Sequence, residues 1–222
     1  MATVATAESR RPPPTQAGVI LHDVTWNQYE AMLRIVGERP IRVTYDTGTM
    51  ELFMPSLGHE SDAYLLGRMV DMLTEELEIS MMGGGTTTHK RQDLDKGAEP
   101  DQCYWFGENA QRIRGKRTLD LDIDPAPDLV IEVDVTRGSL DRLRIFAALG
   151  VLEVWRSDGE TLQFLHLLTD GSYQPGPISR SFPGLPVFAV AQFLEQGRAS
   201  DTTAWVRSFR AFVREQVVPQ NG

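Results

Sequence analysis

The stretch PDLVIEVDV, Pro127–Val135, decides the fold. It is rich in Val, Ile and Leu and alternates with a period of two, the pattern of a β-strand. Leu129, Ile131, Val133 and Val135 fall on one face; Asp128, Val130, Glu132 and Asp134 fall on the other. The near-continuous apolar content leans towards a buried strand of the parallel type. Carboxylates taken out of water are costly unless something pairs with them. The strand therefore raises the question of what compensates Glu132 and its neighbours.

Upstream, EPDQCYW at Glu99–Trp105 also starts a strand with Pro-Asp, and Glu99, Asp101, Cys103 and Trp105 share a face. If the two strands are sheet neighbours, Asp101 and Glu132 lie within a few ångströms of each other. Converging carboxylates repel unless one is protonated or a cation sits between them. Hard oxygen ligands of this kind suit Mg2+ or Mn2+, which can polarise a phosphodiester and lower the pKa of an attacking water. Paired acids on strands also serve as edge-strand solubility devices or helix-cap partners, and periodicity alone leaves both readings open.

Working outward, a helix runs from Thr25 to about Val36, with Thr25 and Gln28 fitting a capping box. A hairpin follows, Ile41–Tyr45 and Met50–Phe53 around Asp46–Gly48. Ser56 caps a longer helix reaching about Leu77. Ile79–Met82 and Thr86–His89 read as short strands about the flexible break Gly83–Gly85, which no GK[ST] follows. Gly107–Asp124 reads as a loop or hairpin tip. SLDRLRIFAALG fits a helix starting near Ser139 and closed by Gly150. LEVWR and TLQFLHLL form a second hairpin, Pro175–Pro186 is a Pro/Gly-rich connection, and Asp201–Gln216 is a terminal helix. Alternating strands and helices predict a single α/β domain around a mixed sheet. It spans 18–216, between a disordered N-terminal tail (1–17) and a short C-terminal tail (217–222).

The 222 residues suffice for one sizeable domain, and no apolar run is long enough to span a bilayer. The N-terminus lacks the apolar core of a secretory signal, and a lone Cys103 excludes an internal disulfide or a Cys-cluster zinc site. The cytoplasm is the simplest compartment. A net charge of −9 argues against a strong non-specific nucleic-acid binder. Arg112, Arg114, Lys116 and Arg117 form either a local basic patch or a solvated loop.

The series GTMELFMPSLGHE, TTTHKRQDLDKGAEPDQCYW and PDLVIEVDVTRGSLDRLRIFAALGVLEVWR resembles the Uma-two family of proposed restriction endonucleases, within the PD-(D/E)XK nuclease superfamily. The resemblance covers roughly Val24 to Phe193. It implies a restriction-endonuclease-like mixed β-sheet flanked by helices. It also implies that Asp101 and Glu132 hold a divalent ion, Mg2+ or Mn2+, with Glu60 completing the shell directly or through water. The superfamily's Lys, two residues after the Glu, falls on Asp134. The family's proposed substitute is a basic residue of the following helix, here Arg142, with Arg144 as a weaker choice. Arg stays protonated and can neutralise charge but hardly act as a general base. Asp134 is alternatively a third metal ligand.

Two functions from different classes follow. The first is a metal-dependent endonuclease on DNA, or on RNA or a small nucleotide, acting as a two-fold homodimer that addresses both strands. The second is a nuclease-like binding or assembly module without cleavage, favoured by the acidic balance and by Asp134. The bland readings are a turn cap for Asp128, a helix-dipole acid for Glu60, a structural His59, an ion pair for Arg142, and a buried small hydrophobe for Cys103. Lys90 and Arg91 either approach a substrate backbone or face solvent. Arg207, Arg210 and Arg214 offer a partner face or a solvated one.

Overall fold

The computed structural model describes residues 18–134 and 140–218. The two tails beyond those limits, Val135, and the helix start near Ser139 lie outside the described residues. The described residues form six helices and eleven strands: β1 Gly18–Leu21, α1 Trp26–Val36, β2 Arg42–Asp46, β3 Thr49–Phe53, α2 Leu57–Glu76, β4 Met81–Gly83, β5 His89–Arg91, β6 Lys96–Ala98 and β7 Gln102–Phe106. After these come α3 Gly107–Ile113, β8 Leu129–Val133, α4 Arg142–Leu149, β9 Glu153–Ser157, β10 Leu162–Leu167, β11 Tyr173–Gly176, α5 Val187–Ala199 and α6 Thr202–Phe212, which ends in a π-helical turn, Val213–Val217.

The central sheet has the order β11-β10-β9-β8-β7-β4. Strands β8 and β9 pair parallel and the other pairs are antiparallel, so the sheet is mixed as expected. The period-two reading of PDLVIEVDV holds for the described part. Leu129, Ile131 and Val133 enter the core beneath α2, α5 and α6, with Trp155 and Phe164. Val130 enters a second cluster with Cys103, Trp105 and the residues of α3 and α4. Helices thus cover both faces of the sheet, which is why β8 is apolar on both.

A second sheet was not anticipated. It is antiparallel, of order β1-β3-β2-β6-β5. One of its faces, Val43, Tyr45 and Met50, packs on α1 through Tyr29 and Val36. The Thr25–Gln28 capping box that starts α1 is present on both sides. The register sets Arg42 against Phe53 and Thr44 against Glu51 on the opposite face.

Other departures have local causes. Helices α3 and α5 have Phe106 and Pro186 at their N-caps, neither of which makes a side-chain cap, so the usual start signal is missing. Strand β11 carries Pro175 and survives because it is an edge strand. Val217, assigned to the C-terminal tail by sequence, is 4% exposed and packs in the main core.

Candidate functional site

Strands β7 and β8 pair with Gln102 opposite Ile131 and Cys103 opposite Val130. One step further in this register Asp101 meets Glu132, and the Asp101 N–H donates to the Ile131 carbonyl at 3.2 Å. Both side chains are buried, Asp101 at 2% and Glu132 at 3% exposure. The two Pro-Asp strands are sheet neighbours, and the structure brings these two acids together.

Each acid has one oxygen held and one left open. Asp101 Oδ2 accepts from the Val133 N–H at 2.7 Å. It also lies 3.2 Å from His59 Nε2, a close contact without the alignment of a hydrogen bond. Glu132 Oε1 pairs with an Arg142 guanidinium nitrogen. Among the described residues, Asp101 Oδ1, Glu132 Oε2 and both His59 nitrogens are buried without a hydrogen-bond partner. Unsatisfied buried polar atoms are few in folded proteins and each calls for an explanation.

The compensating cation sought from the sequence is thus Arg142, the first residue of α4. Its helix is capped by Asp141, whose side chain accepts the Arg144 N–H, and closed by Gly150 at φ 84°. The guanidinium lies 5.5 Å from the centroid of the Phe53 ring. The same ring meets the His59 imidazole edge-on at 5.4 Å. One aromatic side chain from β3 therefore braces both groups that flank the acids. His59 is set by the first turn of α2, where Ser56 Oγ accepts its N–H at 3.3 Å.

Burial pushes the Glu132 carboxyl up to about 7, against the pull of Arg142 and with a further push from Asp101. For Arg142, burial works against the charge, but Glu132, Asp101 and Glu51 outweigh it and hold the guanidinium above its ordinary value. Burial likewise disfavours His59 protonation, yet Asp101, Glu132 and Glu60 together leave the imidazole above its usual range.

The remaining candidates sit further out. Glu60 is half-exposed, pairs with Arg42 at 3.3 Å and stands 3.9 Å from His59 Nδ1, so its link to Asp101 runs through His59. Asp134 pairs with Arg156 at 2.8 Å. Arg156 stands beside Glu132 in the parallel register with β9. Arg144 is exposed. Among the described residues no three His, Cys, Asp or Glu side chains are arranged to hold a metal ion.

Several side chains have structural roles. Asp128 accepts the Phe106 N–H and the Asn109 amide, each at 2.8 Å, and fastens the β7–α3 corner. Cys103 is buried, and burial pushes its thiol up to about 12, leaving it an inert packing group. Arg112 donates to the Ile123 carbonyl and Lys116 pairs with Asp124, so these two members of the basic patch hold their own loop. Lys90 pairs with Glu30, Arg91 with Asp93 and Asp122. Arg210 and Arg214 clamp α6 to Glu75 and Glu76 of α2.

Sequence reasoning weighed His59 as a possible participant but preferred a structural role for it, and did not consider Arg156. The signal for His59 was its place beside Glu60 at the start of α2. No local signal marked Arg156, because only the parallel β8–β9 register brings it to Asp134.

The family model of Uma2, described as "Putative restriction endonuclease", matches residues 26–199. The chain belongs to this family. Among solved structures, the Uma2 chain is similar to the crystal structure of a "putative nuclease belonging to DUF820" from Anabaena variabilis. The two are 14% identical with a TM-score of 0.47, over 80% of this chain and 98% of that one. No curated protein matches the sequence. No helix among the described residues is long and apolar enough to cross a membrane.

Proposed function

We propose that this Uma2 member is a divalent-metal-dependent endonuclease that hydrolyses DNA phosphodiester bonds. The observation that carries the reading is the register pair Asp101 and Glu132, two buried acids that each keep one unpartnered oxygen. Hard carboxylate oxygens are the donors that Mg2+ and Mn2+ prefer, so the residues present fit such an ion. When bound there, the ion would polarise the phosphodiester and acidify the attacking water.

The chain's own residues supply the rest. The Val133 N–H fixes Asp101 through Oδ2 and leaves Oδ1 for the ligand. Arg142 carries a permanent charge to offset that developing on the phosphorane. Arg156, at the Asp134 position, adds a second cation where the superfamily carries Lys. Glu60 acts on Asp101 through His59. Asp134 completes the metal shell only by releasing Arg156. The reading further includes a two-fold homodimer working on DNA in the cytoplasm, with RNA as the alternative substrate.

A second reading, a nuclease-like module without cleavage, is favoured by one observation: Glu132 is already neutralised by Arg142. Calorimetric titration with Mn2+ and Mg2+ of the wild type and the Asp101→Ala/Glu132→Ala variant, followed by plasmid nicking, separates the two. Binding and nicking that both vanish in the variant support the enzyme. Binding without nicking points to a missing partner, an unusual substrate, or chemistry lost to Asp134. No binding by the wild type sinks the metal site.

A further inference from the structure

Arg142 is more than half of an ordinary surface ion pair. Its side chain is 14% exposed and that of Glu132 is 4% exposed. The guanidinium sits over the Phe53 ring and feels the charge of Glu132, Asp101 and Glu51. A cation enclosed by carboxylates and an aromatic face occupies the electrostatic position that a divalent ion at Asp101 and Glu132 would take. Glu132 has turned one oxygen to Arg142, and only Oε2 remains open.

We infer that Arg142 is a resident counter-ion that competes with the divalent ion for Glu132, so that the acids are latched until the metal displaces the guanidinium. This rests on the metal reading proposed above and adds to it an order of events. With an ion held by Glu132, Arg142 would be freed from that carboxylate and available to a phosphate oxygen, the anion for which its planar fork is shaped. One side chain then reports the loading of the site to the substrate. The coupling is reciprocal, because a phosphate that draws Arg142 away from Glu132 makes the acids better ligands.

The test is an Mn2+ titration of the full chain by calorimetry, with wild type and variants compared at one and the same pH. Arg142→Met should bind at least about tenfold more tightly than wild type, because like charges within a few ångströms oppose each other strongly in a buried site. Arg142→Lys, which keeps the charge without the fork, should fall between. Arg68→Met makes the same change in net charge on α2, away from the acids, and should bind as wild type does. Plasmid nicking should fall in Arg142→Met despite its tighter binding. Far-UV circular dichroism and melting confirm that each variant is folded, and Arg142→Lys carries the comparison if Arg142→Met does not fold. An Arg142→Met affinity equal to or weaker than wild type overturns the latch, as does an equal rise in Arg68→Met. Absence of binding in wild type and both Arg142 variants overturns the metal reading itself.

Discussion

His89 offers a clean measurement of what burial does to a titratable group in this fold. It lies on β5 opposite Ala98, is fully buried, and among the described residues has no hydrogen-bond partner at either ring nitrogen. Its ring centroid is 5.9 Å from that of Trp105. Burial pushes the imidazole from 6.5 down to about 4. A depressed pKa in the folded state means that the unfolded chain takes up the proton first, so acid favours unfolding. The contribution is absent well above the unfolded pKa and grows as pH falls towards the folded one. Relative to about pH 8, linkage between 6.5 and about 4 gives a loss of about 1.4 kcal/mol near pH 5.5 and about 2.5 kcal/mol near pH 4.5. His89→Leu removes this loss. It also removes two unsatisfied buried nitrogens, worth about 1–2 kcal/mol of added stability at neutral pH. Urea unfolding of both proteins, followed by tryptophan fluorescence across this pH range, gives the difference directly, and the carboxylates common to both cancel. A difference that stays flat on acidification would show that His89 takes a proton while folded, and the burial argument would be wrong.

Three further outcomes are expected. Glu153→Ala should cost about 3–5 kcal/mol in urea unfolding, because the donors of Trp155, Ser179, Arg180 and Ser181 lose the buried carboxylate that accepts from them; a cost under about 1 kcal/mol would refute its role in pinning the Ser179–Phe182 turn. Gly97→Ala should lower the melting temperature, since its Cβ would stand 2.2 Å from the Tyr29 hydroxyl oxygen, an overlap costing about 1–3 kcal/mol; unchanged melting would mean that Tyr29 moves freely. His59→Phe should keep the packing on Phe53 but weaken the Mn2+ binding proposed for Asp101 about 10- to 100-fold, the usual cost of losing a partner of a metal-holding carboxylate; unchanged affinity in calorimetry would make His59 a packing residue only.

Much of the fold was legible in the chain because its signals are local. The Thr25–Gln28 box, the Asp46–Gly48 turn, the Ser56 cap and Gly150 each act within a few residues of themselves. The period-two pattern of Leu129–Val133, apolar on both faces, announced a strand covered by helices on both sides. The same periodicity put Asp101 and Glu132 on matching faces, so their meeting across β7 and β8 could be foreseen. Elements without such marks were missed: β1 is four exposed residues, β11 contains a proline, and α3 and α5 lack side-chain caps.

What only the tertiary structure decided is how the acids are compensated. Whether Glu132 meets a metal, a proton or a guanidinium depends on where α4 returns after β8, and no spacing fixes that. Arg142 reaches Glu132 because α4 packs between the central sheet and the strands of the second one, through Ile145, Phe146 and Leu149. Phe53 reaches both Arg142 and His59 only once β3 is folded over them. A strand's own sequence records that its carboxylates leave water, because burial follows from the alternation of its neighbours. The partner that makes their burial tolerable comes from a distant segment, through contacts that exist only when the whole chain has closed.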